Sequence, residues 1–160
     1  MPGQLLVAVD DSPIGLDTGN VAVQVASFLR ARMLVLHVAA TTGAPESLLT
    51  GAARRSTGRG TPRVGTASAV GLLEHIAGLA RLEGLEVTTE TTAGDPGHRI
   101  LERARRWPAD VIVLGRSERE GDGPHHVGTQ TKHVLRFALQ PVLVVPRRDA
   151  AWLPGLRSTT

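Results

Sequence analysis

The sequence predicts a single α/β domain built on one doubly wound, five-stranded parallel sheet with helices on both faces. Three observations carry this. Five short, largely apolar runs alternate with four segments of helical periodicity. Most of the runs are continuous, as strands covered on both faces require. The length of 160 residues fits one core with little left for a second. Right-handed crossovers then give a Rossmann-like sheet in the order 3-2-1-4-5.

The first strand is QLLVAV at 4–9 and the second is MLVLHV at 33–38. Between them, residues 17–31 place Val21, Val25, Phe28 and Leu29 at helical spacing, with Asp17 or Thr18 available as a cap. Residues 39–65 are turn formers, small residues and arginines, and read as a mobile loop. A second helix over 66–83 presents Val70, Leu73, Ile76, Ala77 and Ala80 on one face and is stopped by Gly84. In 85–91, Leu85, Val87, Thr89 and Thr91 alternate with polar partners, the pattern of a strand with one partly wet face. Gly94-Asp95-Pro96 opens a third helix, because Asp95 can cap it and Pro96 sits where a missing N–H costs nothing. Its Ile100, Leu101 and Ala104 turn to the sheet. DVIVL at 110–114 is the fourth strand. The fourth helix spans 128–138 through Val134, Leu135 and Phe137, and VLVV at 142–145 is the fifth strand. The domain is therefore expected at 1–147, with a poorly ordered tail at 148–160.

Composition excludes several functions. The net charge of +3 comes from 18 Lys+Arg against 15 Asp+Glu, and aromatics are only 2%. Arg54, Arg55, Arg59 and Arg63 gather among Gly, Ser, Thr and Pro as a solvated loop, so no nucleic-acid partner is expected. With no cysteine there is no disulfide, thiolate nucleophile or Cys-ligated zinc. The apolar runs are too short to span a membrane and residues 1–11 lack a leader pattern, so a cytoplasmic protein without membrane contact is expected.

Ligands of doubly wound sheets bind beyond the carboxyl ends of the strands, where the winding reverses. This singles out Asp10 to Ser12, His37 to Val38, and the residues after Leu114. Two roles are open for the first group: Asp10 accepts a hydrogen bond from a ligand's amino or hydroxyl group, or Asp11 or Ser12 merely caps the next turn. The doubled aspartate before Ser-Pro also resembles a response-regulator receiver domain. That reading fails because no aspartate lies between Asp17 and Asp95 to accept a phosphoryl group, and Lys132, the single lysine, falls inside a helix. From Gly115 the chain runs through Gly121, Gly123 and Gly128 into a helix, an arrangement whose backbone N–H groups suit an anion. It is not a P-loop, since Thr129 stands where the lysine belongs. His37 reads as the buried end of a strand, His75 and His133 as helical, and His98 as part of a first turn. His125 and His126 are adjacent on a glycine loop and point apart, a poor chelating pair. No metal site and no Ser-His-Asp arrangement stands out, so no catalytic residue is named.

LLVAVDDS, LVLHV, AGDPGHRIL, ADVIVLGRS and VGTQTKHVLRFALQPVLVV together resemble a universal stress protein domain from about residue 3 to residue 147. Nucleotide-binding members of that family carry Gly-x2-Gly-x9-Gly-Ser/Thr after the fourth strand. Gly115, Gly128 and Thr129 match, and Glu118 replaces the second glycine. The resemblance implies an adenine pocket bordered by Asp10 and the backbone of Val38, with Leu114 and Gly115 against the ribose and phosphates over Gly128 and Thr129. Gly121 and Gly123 are placed to supply the lost donor, or Glu118 or Asp122 to hold a divalent ion. The implied ligand is ATP, or ADP or AMP, with or without Mg²⁺, in a stress-response sensor or regulator with at most slow hydrolysis. The alternative is an interaction module of the same family that binds no nucleotide, and Glu118 discriminates the two. A homodimer is also expected, with the edge strand Val142–Val145 pairing antiparallel with its own copy.

Overall fold

The computed structural model describes residues 2–39, 54–55, 67–116 and 127–146. The strands are β1 (Gln4–Val9), β2 (Arg32–Ala39), β3 (Arg54–Arg55), β4 (Val87–Ala93), β5 (Val111–Gly115) and β6 (Val142–Val145). They form one sheet in the order β3-β4-β2-β1-β5-β6. Every pairing is parallel except β3 with β4, where Arg54 faces Thr91 and Arg55 faces Glu90. Leaving β3 aside, β4-β2-β1-β5-β6 is the expected order 3-2-1-4-5. The stretch read as a loop over 39–65 therefore also supplies an antiparallel edge strand. Two residues joined by backbone pairing carry no side-chain periodicity, so nothing in the sequence announces them. The mobility expected of the rest of 39–65, and the tail 148–160, lie outside the described residues.

Alternation along the central strands divides the core. Leu5, Val7 and Val9 join Met33 and Val35 beneath helices α1 (Pro13–Leu29) and α2 (Ala67–Leu82). Leu6, Leu34, Leu36 and Ile112 pack beneath α3 (Pro96–Arg106) and α4 (Thr129–Phe137). Among the described residues no helix is long and apolar enough to cross a membrane.

α1 corrects the sequence reading twice. It begins at Pro13 with Ser12 at the cap position, five and six residues before the expected caps Asp17 and Thr18. Its buried face is Ile14, Gly15, Thr18, Gly19, Ala22, Val23 and Ala26, whereas Phe28 is 89% exposed and Val21 and Val25 are only partly buried. Small residues win this face because α1 lies close to both the sheet and α2. A Cβ on Gly19 would collide with the Ile76 side chain. α4 shows the same error, since it buries Thr131 and Val134 and leaves Leu135 and Phe137 about half exposed. β4 runs two residues later than the expected 85–91.

Other expectations hold. Leu73, Ile76, Ala77 and Ala80 are buried on α2, although Val70 is only half-buried. Gly84 stops that helix with φ of 73°. β6 is the opposite edge of the sheet, with Leu143 38% exposed and Val145 buried in the core at 4%.

Candidate functional site

The winding reverses between β1 and β5, which are paired neighbours whose following helices lie on opposite faces. A cleft of about 120 Å³ opens at their carboxyl ends. Ala8, Val9 and Asp10 enter it from β1, Val38 from β2, and Leu114 and Gly115 from β5. The first turns of three helices complete the wall: Ile14, Gly15 and Thr18 from α1, Pro96 and Ile100 from α3, and Gln130 and Thr131 from α4. A cavity of roughly 150 Å³ holds a benzene ring. The enclosed part therefore suits the edge of a flat ring, and anything larger must extend through the mouth.

Of the six predicted site residues, Asp10, Val38, Leu114 and Gly115 line the cleft together. Gly128 and Thr129 are not in its wall but open α4, directly before Gln130 and Thr131. Glu118, Gly121, Asp122, Gly123, His125 and His126 lie outside the described residues. Sequence reasoning missed Ile14, Gly15, Thr18, Pro96, Ile100, Gln130 and Thr131. The available signal was general: a site at strand ends includes the first turns that follow those strands.

Two glycines let α1 approach the ends of β1 and β5. A Cβ on Gly115 would lie 2.6 Å from Thr18 Oγ1 and 3.3 Å from Ile14 Cγ2. A Cβ on Gly15 would run into the carbonyl oxygen of Asp10 and lie 3.1 Å from Leu72 Cδ2. The buried hydroxyls have partners within the walls. Thr18 Oγ1 donates to the carbonyl of Ile14 at 2.7 Å, and Thr131 Oγ1 donates to the carbonyl of Gly115 at 3.1 Å, tying α4 to the end of β5. Asp10 is exposed at the rim, where one carboxylate oxygen accepts from both the N–H and the hydroxyl of Ser12. The Ser12 side chain makes no capping bond to α1.

His37 is buried at the end of β2 as expected, but on the α1 face, the opposite side from Val38. Its Nε2 lies 3.9 Å from Asp11 Oδ1, and its Nδ1 is buried with no hydrogen-bond partner among the described residues. Among the described residues no group of three or more His, Asp or Glu is placed to hold a metal ion.

At the mouth, α3 and α4 are joined end to end. Asp95 caps α3 by accepting the N–H of His98 at 3.0 Å, the role its position before Pro96 predicts. The Gly97 N–H donates to Gln130 Oε1 at 2.8 Å, and Gln130 Nε2 reaches Asp95 Oδ2 at 3.4 Å. The His98 N–H is the main cause holding the Asp95 carboxyl below its ordinary value of 3.8; slight burial opposes it, and the Gln130 amide, His98 and His133 add to it. A depressed carboxyl stabilises the folded state above its unfolded value and loses that contribution as pH falls through the depressed one. Asp95→Ala should therefore cost about 1 kcal/mol at neutral pH. Urea midpoints compared with wild type should show the difference narrowing as pH falls below 3.8; a difference that widens on acidification would contradict this origin.

The family model described as the universal stress protein family matches residues 1–146. Among curated proteins, the universal stress protein YxiE of Bacillus subtilis is 27% identical over 91% of this chain and 99% of its own length. The universal stress protein Sll1388 of Synechocystis sp. is 29% identical over 46% of this chain, and the matched part is 47% of that protein. The chain thus matches a little under half the length of the Synechocystis relative. Solved structures share the fold. A universal stress protein in complex with cAMP has a TM-score of 0.64 at 19% identity, covering 90% of this chain and 96% of that one. The Archaeoglobus fulgidus protein with dAMP gives 0.61 at 19%, covering 90% and 98%. The Arabidopsis thaliana protein At3g01520 with AMP bound gives 0.64 at 19%, covering 94% and 95%.

Proposed function

Since the chain belongs to the universal stress protein family, we propose that its cleft binds an adenine nucleotide and that the protein acts as a nucleotide-dependent sensor or regulator in the cytoplasmic stress response. The observation that carries the reading is the ring-sized cleft at the winding reversal, walled by Asp10, Val38, Leu114 and Gly115. The adenine edge lies between Val38 and Leu114, with its amino group toward the Asp10 carboxylate. Gly15 and Gly115 let α1 pack closely against the ends of β1 and β5, which sets the shape of that wall. The sugar and phosphates leave through the mouth toward the start of α4, at Gly128 and Thr129, where unpaired N–H groups and the helix dipole favour an anion. Solved relatives with cAMP, dAMP and AMP support an adenine nucleotide, because all three carry adenine on a sugar phosphate.

Titration calorimetry with AMP, ADP and ATP, each with and without Mg²⁺, tests the reading. Saturable heat with at least one of them is expected. Its absence at about 1 mM, the weak end of specific affinity, favours the interaction module instead. Glu118 is the sequence feature behind that second reading. Glu118→Gly restores the family motif and removes a negative charge from it, so ATP should bind about threefold tighter or more. A fall in affinity would identify Glu118 as a ligand or Mg²⁺ holder.

The protein is further read as a homodimer through β6, whose edge carries the partly exposed Leu143 next to Leu139 on the preceding turn. Leu143→Arg should convert a sedimenting dimer to monomer. A wild-type monomer, or a dimer indifferent to the change, removes this interface. Val145 is unsuited to the test because it belongs to the core.

A further inference from the structure

The mouth of the cleft carries a pair of polar groups that the adenine reading does not use. Gln130 lines the cleft, and its Oε1 accepts the Gly97 N–H at 2.8 Å. A backbone N–H can only donate, so the amide oxygen must face Gly97 and the NH₂ must face the other way. That NH₂ meets Asp95 Oδ2 at 3.4 Å, a long contact that leaves donor capacity over. Asp95 is exposed, and its other oxygen is taken by the His98 N–H. A donor with a spare hydrogen and an acceptor with spare lone pairs thus stand side by side at the rim.

The pair is held in place. A Cβ on Gly97 would lie 2.8 Å from Gln130 Oε1 and 2.8 Å from His133 Cδ2, so the close approach of α3 to α4 depends on the missing side chain. The charge on Asp95 decides what the pair takes. A phosphate oxygen there would face a carboxylate, whereas a hydroxyl can accept from Gln130 and donate to Asp95 at once. Two adjacent hydroxyls satisfy both groups without leaving a donor or acceptor unmatched.

Resting on the nucleotide reading above, we propose that Gln130 and Asp95 form a subsite for the ribose cis-diol, and that Gln130 makes the protein select ribonucleotides over 2′-deoxyribonucleotides. Recognition is a difference of affinities, and a site that offers hydrogen bonds to a hydroxyl discriminates against the analogue lacking it. Asp95 acts as acceptor and Gln130 as donor, while Gly97 positions Gln130 without touching the ligand.

The test is calorimetry of the full chain with AMP and 2′-deoxy-AMP, which differ only in one hydroxyl. Wild type should bind AMP about tenfold more tightly. Gln130→Leu should bring the two within about twofold, AMP losing more affinity than 2′-deoxy-AMP. Gln130→Glu is a second variant that keeps an oxygen for Gly97 and removes the donor; it should also erase the preference. Equal binding of the two nucleotides by wild type, or a preference that survives both substitutions, overturns the proposal and leaves the adenine reading standing. Binding of neither AMP nor 2′-deoxy-AMP overturns the proposal, and absence of heat with ADP and ATP as well overturns the adenine reading with it.

Discussion

Arg103→Ala is expected to lower the unfolding free energy by about 3 to 5 kcal/mol. Arg103 grips Glu90 with two bonds, Nε to Oε2 at 2.5 Å and Nη2 to Oε1 at 2.6 Å. The Glu90 side chain is only 10% exposed, on the face of β4 that packs toward α3. Truncating the arginine takes the bidentate partner from a nearly buried carboxylate, and the loss comes chiefly from that charge. Removing both partners behaves differently: Glu90→Leu with Arg103→Met should recover most of the loss, because packed apolar groups replace a costly pair. Arg106→Ala is the internal control. It breaks the exposed Glu102–Arg106 pair at 2.8 Å and should cost under about 1 kcal/mol. Urea midpoints at constant m-value decide the matter. An Arg103→Ala loss no larger than that of Arg106→Ala would show that Glu90 is solvated enough to stand alone.

The second large effect is expected at Gly15, where local propensity and packing oppose each other. Alanine is favoured over glycine inside a helix by roughly 1 kcal/mol. At Gly15, however, the new methyl meets the Asp10 carbonyl oxygen, and neither that backbone nor Leu72 behind it can yield cheaply. Overpacking of this kind costs typically 1–3 kcal/mol. Gly15→Ala should therefore destabilise the fold, and it should also abolish nucleotide binding by pushing the first turn of α1 across the cleft. Gly71 and Gly78 of α2 give the opposite sign, since a methyl on either meets nothing within 4 Å. Each change to alanine there should stabilise by about 0.5–1 kcal/mol. Thermal unfolding of the three variants separates the terms, and a stabilised Gly15→Ala would mean that α1 can shift at little cost.

The same contrast explains what the sequence reveals. Continuous apolar strands and the Asp95-Pro96 start of α3 are local patterns, and the structure reproduces them. The face of α1 is not. Periodicity points to Val21, Val25 and Phe28, because it assumes that the largest apolar residues face the core. Close approach to the sheet and to α2 reverses that choice, and only the tertiary arrangement shows how near they are. The site divides in the same way. Asp10, Val38, Leu114 and Gly115 follow from the rule of strand ends. Gln130 and Pro96 meet across the cleft from helix starts 34 residues apart, a proximity that no spacing encodes.

β3 gives the sheet two unlike margins. The margin beyond β4 carries a two-residue strand running against the rest, which among the described residues pairs with Glu90 and Thr91 alone. The margin at β6 is a parallel-paired strand with one side unpaired among the described residues. Head-to-tail growth would join the first margin to the second, copy after copy, into a fibre. Self-pairing of β6 about a two-fold axis, as proposed above, would use that margin in both copies and close the complex at two. On that proposal, increasing protein concentration should fill a closed complex instead of extending an open polymer.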